Sequence, residues 1–477
     1  MKSIKKNIVF NLIKSICTIL FPLVSYSYAA RAIGISNIGK VHYSLSIVNY
    51  FVLLAALGIT TYGIREGAKV RDSKKDIETL VSELFSINIL STIASYFLLF
   101  ILLACSKKIS AYGTIILIQS ILIVSTTIGV EWVYNIFEDF KYMAIRSIGV
   151  QVVSLLGLIL FVKNENDVIV YAWIITISKS GSYLFGMIYA RRYVKFRFIV
   201  SNTMIKHLKP VFILLGINVA QTIYTNADTT MIGIFNADVN VGLYATAVNI
   251  YVGVKSVIYS IINVYSPRIA YENKSVNKQA VTNRRNQLHE MLLIFVLPAC
   301  IGVFLLSKDI VLLFGGSQSY ESYVPLRILS LALVFSAFAG YKSSAFLIVD
   351  DMEKSVLLAM CISALLNLVL NFWFIPNYMQ NGAAITTLIS EFAMWVMNSF
   401  SARKIIKKCP DCRFVISIIC GLVGIVMSCM VCSVLVCNQM ARMIMSIVLS
   451  VAVYALILLA LRNKMALGLI DNLKRII

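Results

Sequence analysis

The sequence predicts an all-α integral membrane protein with about fourteen transmembrane helices. Apolar residues make up 59% of the 477-residue chain and charged residues only 14%, a balance that is atypical of soluble domains. Apolar runs of about 20 residues recur along the whole chain, and each is long enough to cross a ~30 Å hydrocarbon core. The loops between these runs are alternately basic and nearly free of Lys and Arg, as is typical of proteins that cross the membrane many times.

The apolar runs predict fourteen helices. In chain order they are Ile8–Ile33, Val41–Tyr62, Leu80–Ala104, Ile115–Asn135, Met143–Val162, Val168–Ala190, Val211–Phe235, Val241–Tyr265, Met291–Phe314, Leu326–Val349, Val356–Phe374, Ala383–Phe400, Val415–Val436 and Met443–Leu461. Twelve of them divide into two sets of six, which predicts a first lobe over residues 1–208 and a second over residues 209–408. The last two helices, within residues 409–477, lie outside this twofold plan.

The first two predicted helices form a hairpin whose turn spans Gly34 to Gly39. Part of this hairpin recurs about 200 residues later: Ile33-Gly34, Asn37 and Val48-Asn49-Tyr50 are echoed by Ile232-Gly233, Asn236 and Val248-Asn249 with Tyr251. The register slips by one residue between the two ends of the echo. Two related halves are the usual plan of a transporter whose site lies at the interface between the repeats.

The distribution of basic residues predicts that both termini are cytoplasmic. The basic segments are Lys2 to Lys6, Arg65 to Lys75, Arg191 to Lys209, Arg268 to Arg285, Arg403 to Arg413 and Arg462 to Arg475. The alternating turns around residues 236–240 and 376–381 hold no Lys or Arg. This pattern requires an even number of spans, and it attributes the net charge of +21 to cytoplasmic loops rather than to a nucleic-acid-binding surface.

Five cations lie within the predicted spans, where ionisable groups are costly and usually face a cavity or a partner. Lys179 is near the middle of the sixth span, Lys255 is past the middle of the eighth, and Lys342 is in the inner half of the tenth. Lys14 is about two turns deep in the first span, and Arg31 is near its outer end. All five are candidate substrate-binding residues. The alternatives are a structural pair with an acid, a side chain that reaches the interface, or an interfacial anchor.

Three acids are predicted within the spans: Asp228 in the seventh, Glu391 in the twelfth and Glu131 near the end of the fourth. Each is a candidate for ion coupling, because desolvation favours the protonated carboxyl. Each could equally be the partner of a buried Lys or Arg. The cations outnumber the acids, and a cavity with surplus positive charge favours an anionic substrate such as a phosphate or a diphosphate.

The sequence predicts neither an enzyme nor a bound cofactor. Its three His are scattered, and the CxxC spacing from Cys409 to Cys412 has no nearby His that would indicate a zinc site. No glycine-rich phosphate-binding loop is present, which argues against an ATP-driven pump in this chain. The external loops are too short to carry the catalytic groups of a glycan polymerase or an acyltransferase.

Four segments resemble, in the same order, the pattern of Wzx-type flippases of O-antigen and capsule. The hairpin carries Ala30–Gly34, Leu57–Ile59 and Tyr62–Glu66, which resemble the N-terminal pattern of that family. The other segments are Glu131–Lys141 followed by Arg146-Ser147, Asn226–Gly233 followed by Val241–Tyr244, and Leu297-Pro298 with Leu313–Gly315. The similarity covers about Lys5 to Arg403, so the last two helices are less diagnostic.

This resemblance implies a member of the multidrug/oligosaccharidyl-lipid/polysaccharide (MOP) exporter superfamily. It implies two six-helix lobes in a V around a central cavity lined by the first, second, seventh and eighth helices. Arg31 and Asp228 are carried over as positions of the family pattern.

The implied substrate is an undecaprenyl-diphosphate-linked oligosaccharide, moved across the bacterial cytoplasmic membrane for O-antigen, lipopolysaccharide or capsule assembly. The implied partners are this lipid-linked oligosaccharide and membrane lipid, with a polysaccharide polymerase and a chain-length regulator as candidate protein partners; no nucleic acid is expected. Lipid II or a teichoic-acid precursor is an alternative cargo. A drug/cation antiporter is disfavoured, because it should have an acidic cavity.

Overall fold

The computed structural model describes residues 21–199, 201–274, 278–403 and 412–468, so Lys14 and Cys409 lie outside the described residues. These ranges contain helices, short connections and no strand. The α-helices are α1 (21–33), α2 (Ile35–Ala56), α3 (Ile59–Val70), α4 (Lys74–Cys105), α5 (Lys107–Ser110), α6 (Gly113–Gln119), α7 (Ile121–Gly129), α8 (Glu131–Ile136), α9 (Phe140–Phe161), α10 (Val168–Leu184), α11 (Gly186–Ala190), α12 (Ile205–Phe235), α13 (Asp238–Lys274), α14 (Lys278–Gly315), α15 (Tyr323–Lys342), α16 (Glu353–Ala402), α17 (Cys412–Leu435) and α18 (Gln439–Ala460). Three short 3₁₀ helices and one π-helical turn, Ser343–Leu347, connect them.

Twelve helical segments within the described residues are long and apolar enough to cross a membrane. One of them, α16, is interrupted at Met379, where φ is 51°, and it contains the eleventh and twelfth predicted spans. Helix α1 is the described end of the first predicted span. The all-helical membrane fold is confirmed, and the count of fourteen spans stays a prediction.

The turn predicted from Gly34 to Gly39 is wrong. Only Gly34, with φ of 78°, interrupts the chain, and α2 begins at Ile35. Gly39 instead marks a close crossing, because a Cβ there would overlap the carbonyl oxygen of Asp238. The second predicted span is itself broken between α2 and α3, where Leu57 has a φ of 47°.

The fourth predicted span is three short helices rather than one. The break between α7 and α8 is at Val130, which has a left-handed backbone with φ of 39°. A Cβ on Gly186, at the start of α11, would overlap the carbonyl oxygen of Gly129, so the two interrupted helices pack closely at their breaks. These breaks place Glu131 in the first turn of α8, where the helix dipole favours a negative charge.

The chain forms two compact units, Met1–Gly242 and Leu243–Ile477. In the first unit, a core around Trp132 and Tyr134 packs α3, α4 and α8 together, and α12 packs against α2. In the second unit, α14, α17 and α18 share a core that includes Ile294, Phe414 and Tyr454. The division into lobes at residues 208 and 408 stays a prediction.

Large apolar side chains cover the outside of many helices. Phe97 is 66% exposed, Trp373 is 78% exposed and Val434 is 81% exposed. A soluble protein rarely exposes this much contiguous apolar surface, whereas lipid solvates it readily. The protein is therefore a multi-pass integral membrane protein.

Candidate functional site

The first unit contains a cavity of about 500 Å³ among its helices. Helices α1, α2, α7, α8, α9 and α10 all contribute to its wall. Its polar lining residues are Ser25, Asn49, Thr126, Glu131, Ser147, Gln151, Ser154, Ser178, Lys179, Ser182 and Tyr183. Two of the residues predicted from the sequence, Lys179 and Glu131, therefore line the same cavity.

Lys179 presents a positive charge to this cavity. It follows Ser178 on α10, and two residues later Gly181 lets α10 approach α9, since a Cβ there would lie 3.0 Å from Val150 Cγ1. The Lys179 side chain is exposed into the cavity. Across the described residues, its ammonium group has neither a carboxylate partner nor a hydrogen-bond acceptor.

Glu131 is paired with a buried arginine. Arg146 Nη2 donates to Glu131 Oε1 at 3.1 Å, and the Arg146 side chain is only 5% exposed. The guanidinium lies 5.3–5.9 Å from the ring centroids of Tyr134, Tyr142 and Tyr183, a distance suited to cation–π attraction. Of the two roles considered for Glu131, the geometry favours that of partner to a buried cation.

Several polar atoms of the cavity wall have unused hydrogen-bonding capacity. Ser25 Oγ, Gln151 Oε1 and Ser154 Oγ are buried, and none has a hydrogen-bond partner among the described residues. Buried polar atoms are usually satisfied by protein or by ordered water. These three atoms can therefore accept or donate hydrogen bonds to water or to a ligand in the cavity.

Lys255 and Glu391, predicted to have separate roles, form an ion pair in the second unit. Lys255 Nζ lies 2.8 Å from Glu391 Oε1, and the glutamate side chain is 3% exposed. Tyr251 donates its hydroxyl to the same oxygen at 3.2 Å. The lysine nitrogen also lies 5.4 Å and 5.6 Å from the ring centroids of Tyr251 and Tyr259. This geometry matches the alternative in which a buried cation and a buried acid neutralise each other.

The segment around Asp228 packs against α2. Asp228 is buried, with 5% of its surface exposed. Two residues earlier on α12, Asn226 Oδ1 accepts a hydrogen bond from Asn49 Nδ2 at 2.9 Å, and Asn49 also lines the cavity. Two residues later, the Thr230 hydroxyl donates to Ser46 Oγ at 2.9 Å. The seventh predicted helix thus borders the candidate site through α2.

Arg31 and Lys342 are not among the residues that line the cavity. Arg31 is exposed near the end of α1. Lys342 ends α15 in the second unit, where its nitrogen lies 5.9 Å and 5.7 Å from the ring centroids of Tyr341 and Phe346. Lys14, the fifth predicted cation, lies outside the described residues.

Sequence reasoning missed Arg146 as part of the site. Arg146 lies within the fifth predicted span, Met143–Val162, and the family pattern alone gives it no role in a site. Counting it with the other cations in the spans would have supplied a partner for Glu131. The sequence could not single out Ser25 and Ser154 as residues with unused hydrogen-bonding capacity, because serine is common in helices of membrane proteins.

A second cavity, of about 540 Å³, lies in the second unit and is almost entirely apolar. Helices α14, α17 and α18 form most of its wall, including Phe295, Leu306, Ile425 and Tyr454. The two cavities therefore differ in chemistry: the first has a mixed lining with many polar side chains and an unpaired lysine, and the second is almost entirely apolar.

Comparison with known proteins gives the family. The profile described as polysaccharide biosynthesis protein matches residues 4–271, and the MatE profile matches residues 214–373. An Escherichia coli (strain K12) protein, named as a candidate O-antigen transporter, is 21% identical over 404 residues, which are 82% of this chain and 94% of that protein.

Solved structures share the fold. The lipid II flippase MurJ in an inward closed conformation has a TM-score of 0.80 at 16% identity, and the match covers 96% of this chain and 100% of that chain. An inward-facing multidrug resistance MATE family transporter of the MOP superfamily has a TM-score of 0.61 at 13% identity, and the match covers 81% of this chain and 94% of that chain.

The family match spans more than half of the chain, and it agrees with the all-helical fold and with a polar cavity inside a membrane protein. The chain therefore belongs to the polysaccharide biosynthesis protein family, and its fold is that of a transporter of the MOP superfamily.

Proposed function

We propose that this transporter flips an undecaprenyl-diphosphate-linked oligosaccharide repeat unit from the cytoplasmic to the outer leaflet of the bacterial cytoplasmic membrane. The observation that carries the proposal is the Lys179 ammonium, which faces a polar cavity without a counter-charge among the described residues. Membership of the polysaccharide family supports a glycan cargo. The alternating basic loops support an orientation with both termini in the cytoplasm.

The charges of the cavity favour an anionic cargo. Lys179 and Glu131 are the charged residues that line it, and Arg146 neutralises Glu131. The remaining charge is that of Lys179, which meets a phosphate as a point charge. A cationic drug would instead require a surplus of carboxylates, so the first cavity suits a diphosphate better than a drug.

The wall of the cavity also suits sugar hydroxyls. Gln151 Oε1, Ser154 Oγ and Ser25 Oγ offer hydrogen bonds that no described residue uses. The volume of about 500 Å³ lies within the usual range of small-ligand pockets. We infer that the diphosphate and the sugar next to it bind here, with Lys179 on the diphosphate.

We infer that the prenyl chain stays in the lipid of the bilayer while the diphosphate and the adjoining sugar are bound, because lipid already provides the apolar environment that a hydrocarbon chain needs.

Three carboxylates are our candidates for coupling transport to a proton or a sodium ion: Asp228, Glu391 and Glu131. Glu391 has the clearest route to a change of charge, because its protonation would release Lys255 from the ion pair. Lys255 could then bind the anionic cargo, as we also propose for Lys342, Arg31 and Lys14. A polymerase and a chain-length regulator remain the proposed protein partners.

The test is complementation of cells depleted of this protein, with two readouts: the pool of lipid-linked oligosaccharides and the amount of surface polysaccharide. We expect wild-type protein to clear the pool and restore the polysaccharide. Lys179→Gln should leave the pool high and lower the surface polysaccharide by about tenfold or more, since a charge-assisted phosphate contact contributes about 1.5–3 kcal/mol. Lys179→Arg should retain most export.

The matched control is Lys354→Gln, which removes an exposed lysine remote in sequence from the cavity. It should export normally at equal protein level. Normal export by Lys179→Gln would contradict the role of Lys179. If depletion leaves the lipid-linked repeat units unchanged while peptidoglycan precursors accumulate, the cargo is lipid II and the glycan proposal is wrong.

A further inference from the structure

A buried chain of three titratable side chains ties together three helices of the first unit. Tyr62 Oη lies 2.8 Å from His207 Nδ1, and His207 Nε2 lies 2.7 Å from Glu83 Oε2. Tyr62 is 6% exposed, His207 4% and Glu83 3%. These residues belong to α3, α12 and α4, at the end of the unit where the connecting loops are basic. None of them lines either cavity.

We propose that Tyr62, His207 and Glu83 form a proton-binding site whose occupancy sets how tightly α3 is held against the first turns of α12. The proposal does not depend on the cargo of the transporter.

The geometry accepts one proton without moving any heavy atom. In the neutral state, the Tyr62 hydroxyl donates to Nδ1 and the Nε2–H group donates to Glu83. In the protonated state, both ring nitrogens donate, and the Tyr62 hydroxyl turns so that its oxygen accepts. His207 is the member of the chain that can donate from two ring nitrogens at once, so it is the group that would take the proton.

The proton changes the strength of the link between α3, α4 and α12. In the neutral state the hydrogen bond between Tyr62 and His207 joins two uncharged groups, whereas in the protonated state the imidazolium Nδ1–H donates to the Tyr62 oxygen in a charge-assisted hydrogen bond, which is roughly twice as strong. Protonation should therefore tighten the contact, and loss of the proton should loosen it. We therefore expect α3 to pack more tightly against α12 at lower pH.

Other polar and charged groups face this chain of residues from each helix packed against it. Arg65 and Glu66 approach from α3, with the Arg65 guanidinium 5.5 Å from the Tyr62 ring centroid. The Thr203 hydroxyl donates to Glu83 Oε1 from the turn before α12. On α12 itself, Lys206 Nζ lies 3.7 Å from Glu83 Oε2, but its side chain is 61% exposed, so solvent weakens this contact.

The segment that the proton would control begins at a break in the helix. Leu57, between α2 and α3, has a φ of 47°, and its carbonyl oxygen accepts a hydrogen bond from Asn218 Nδ2 on α12 at 3.2 Å. A Cβ on the adjacent Gly58 would overlap Leu214 Cβ, also on α12. The chain is therefore fixed to α12 at the break before α3, and the contact between Tyr62 and His207 is the next one along, in the first turn of α3.

Hydrogen–deuterium exchange of the full-length protein in lipid nanodiscs tests the proposal. After correction for the intrinsic pH dependence of exchange, amides of residues 59–70 in wild type should be about fivefold better protected at acidic than at alkaline pH. His207→Gln should abolish this difference. His289→Gln, which changes a histidine of the second unit, should preserve it. A wild-type pH response in His207→Gln, or no response in wild type, would overturn the proposal.

A second measurement needs no variant at His207. The chain has three histidines, His42, His207 and His289, so selective ¹⁵N labelling gives three pairs of imidazole signals, one pair from each ring. His42→Gln and His289→Gln assign two of them, and His207 follows by elimination. We expect its nitrogens to change from the neutral Nε2–H form to the imidazolium as the pH falls. A ring that keeps one form over the whole range in which the protein stays folded would also overturn the proposal.

Discussion

At the scale of single residues, the charges of the first cavity and of the second unit's ion pair differ in their partners. Lys255 and Glu391 neutralise each other, as do Arg146 and Glu131, whereas Lys179 has no partner among the described residues. A buried pair contributes little net stability, but removing one member leaves an uncompensated charge. Lys179 can therefore respond to a ligand. Lys255 and Arg146 stay bound to their carboxylates until protonation of those carboxylates releases them.

Lys255→Met should destabilise the protein by roughly 3 kcal/mol, because it leaves Glu391 buried without a cation. The double variant Lys255→Met with Glu391→Gln should recover much of this loss, since glutamine keeps an acceptor for the Tyr251 hydroxyl but carries no charge. The midpoint of thermal unfolding in detergent measures both effects. An unchanged midpoint in Lys255→Met together with lost export would instead favour direct contact between Lys255 and the cargo.

The sequence could identify most of these charges but not their pairing. Lys179, Lys255, Glu131 and Glu391 stand out because each interrupts an apolar span. Which acid meets which base depends on helix packing: Glu391 is 136 residues from Lys255, whereas Glu131 is 15 residues from Arg146. Sequence spacing carries no such information across separate helices. The sequence did not single out Glu83, because it lies within the first turn of a predicted span, where an acid is expected to lie at the membrane interface.

At the scale of helices, the crossing of α2 and α12 depends on a glycine. A Cβ on Gly233 would overlap the ring of Tyr43 on α2. Hydrogen bonds between Asn49 and Asn226, and between Thr230 and Ser46, lie along the same crossing. Small residues let helices approach closely enough in a membrane for such bonds to form. The sequence echo had singled out Gly233 as part of a repeat, and the structure shows why a larger residue would not fit.

Gly233→Ala should destabilise the protein by about 1–3 kcal/mol, as is usual when a side chain is forced into a packed interface. Gly216→Ala on the same helix is the matched control, because a Cβ there would have nothing within 4 Å. It should be neutral or stabilising by up to ~1 kcal/mol through helix propensity. Thermal unfolding of both variants in one detergent gives the comparison, and equal midpoints would refute the proposed role of the crossing.

The helix breaks lay beyond what periodicity could predict. Hydropathy located the apolar stretches, but α14 begins at Lys278 rather than at the predicted Met291, and one predicted helix is three in the structure, α6, α7 and α8. Val130 and Leu57 adopt positive φ without being glycine, so composition offered no signal. Tertiary packing imposes these conformations, and they lie beside Glu131 and at the base of α3.

At the scale of the whole molecule, the orientation in the membrane is a prediction that rests on loop charge alone. The basic loops predict that residue 73, between α3 and α4, is cytoplasmic and that residue 110, after α4, is external. An alkaline phosphatase fusion should be inactive at the first position and active at the second, with a fluorescent protein fusion giving the reverse. Activity of the phosphatase at position 73 would invert the assignment and, with it, the proposed direction of transport.

The contact between Gly63 and Trp132 gives the first unit an optical reporter of its own. A Cβ on Gly63 would lie 2.6 Å from Trp132 Cε3, so α3 rests directly on the indole, which is 4% exposed. The chain has four tryptophans, and Trp173 and Trp373 are 44% and 78% exposed. In a background where Phe replaces the other three, the emission wavelength of Trp132 would follow α3 in real time, shifting to the red whenever that helix lifts and lets water reach the ring.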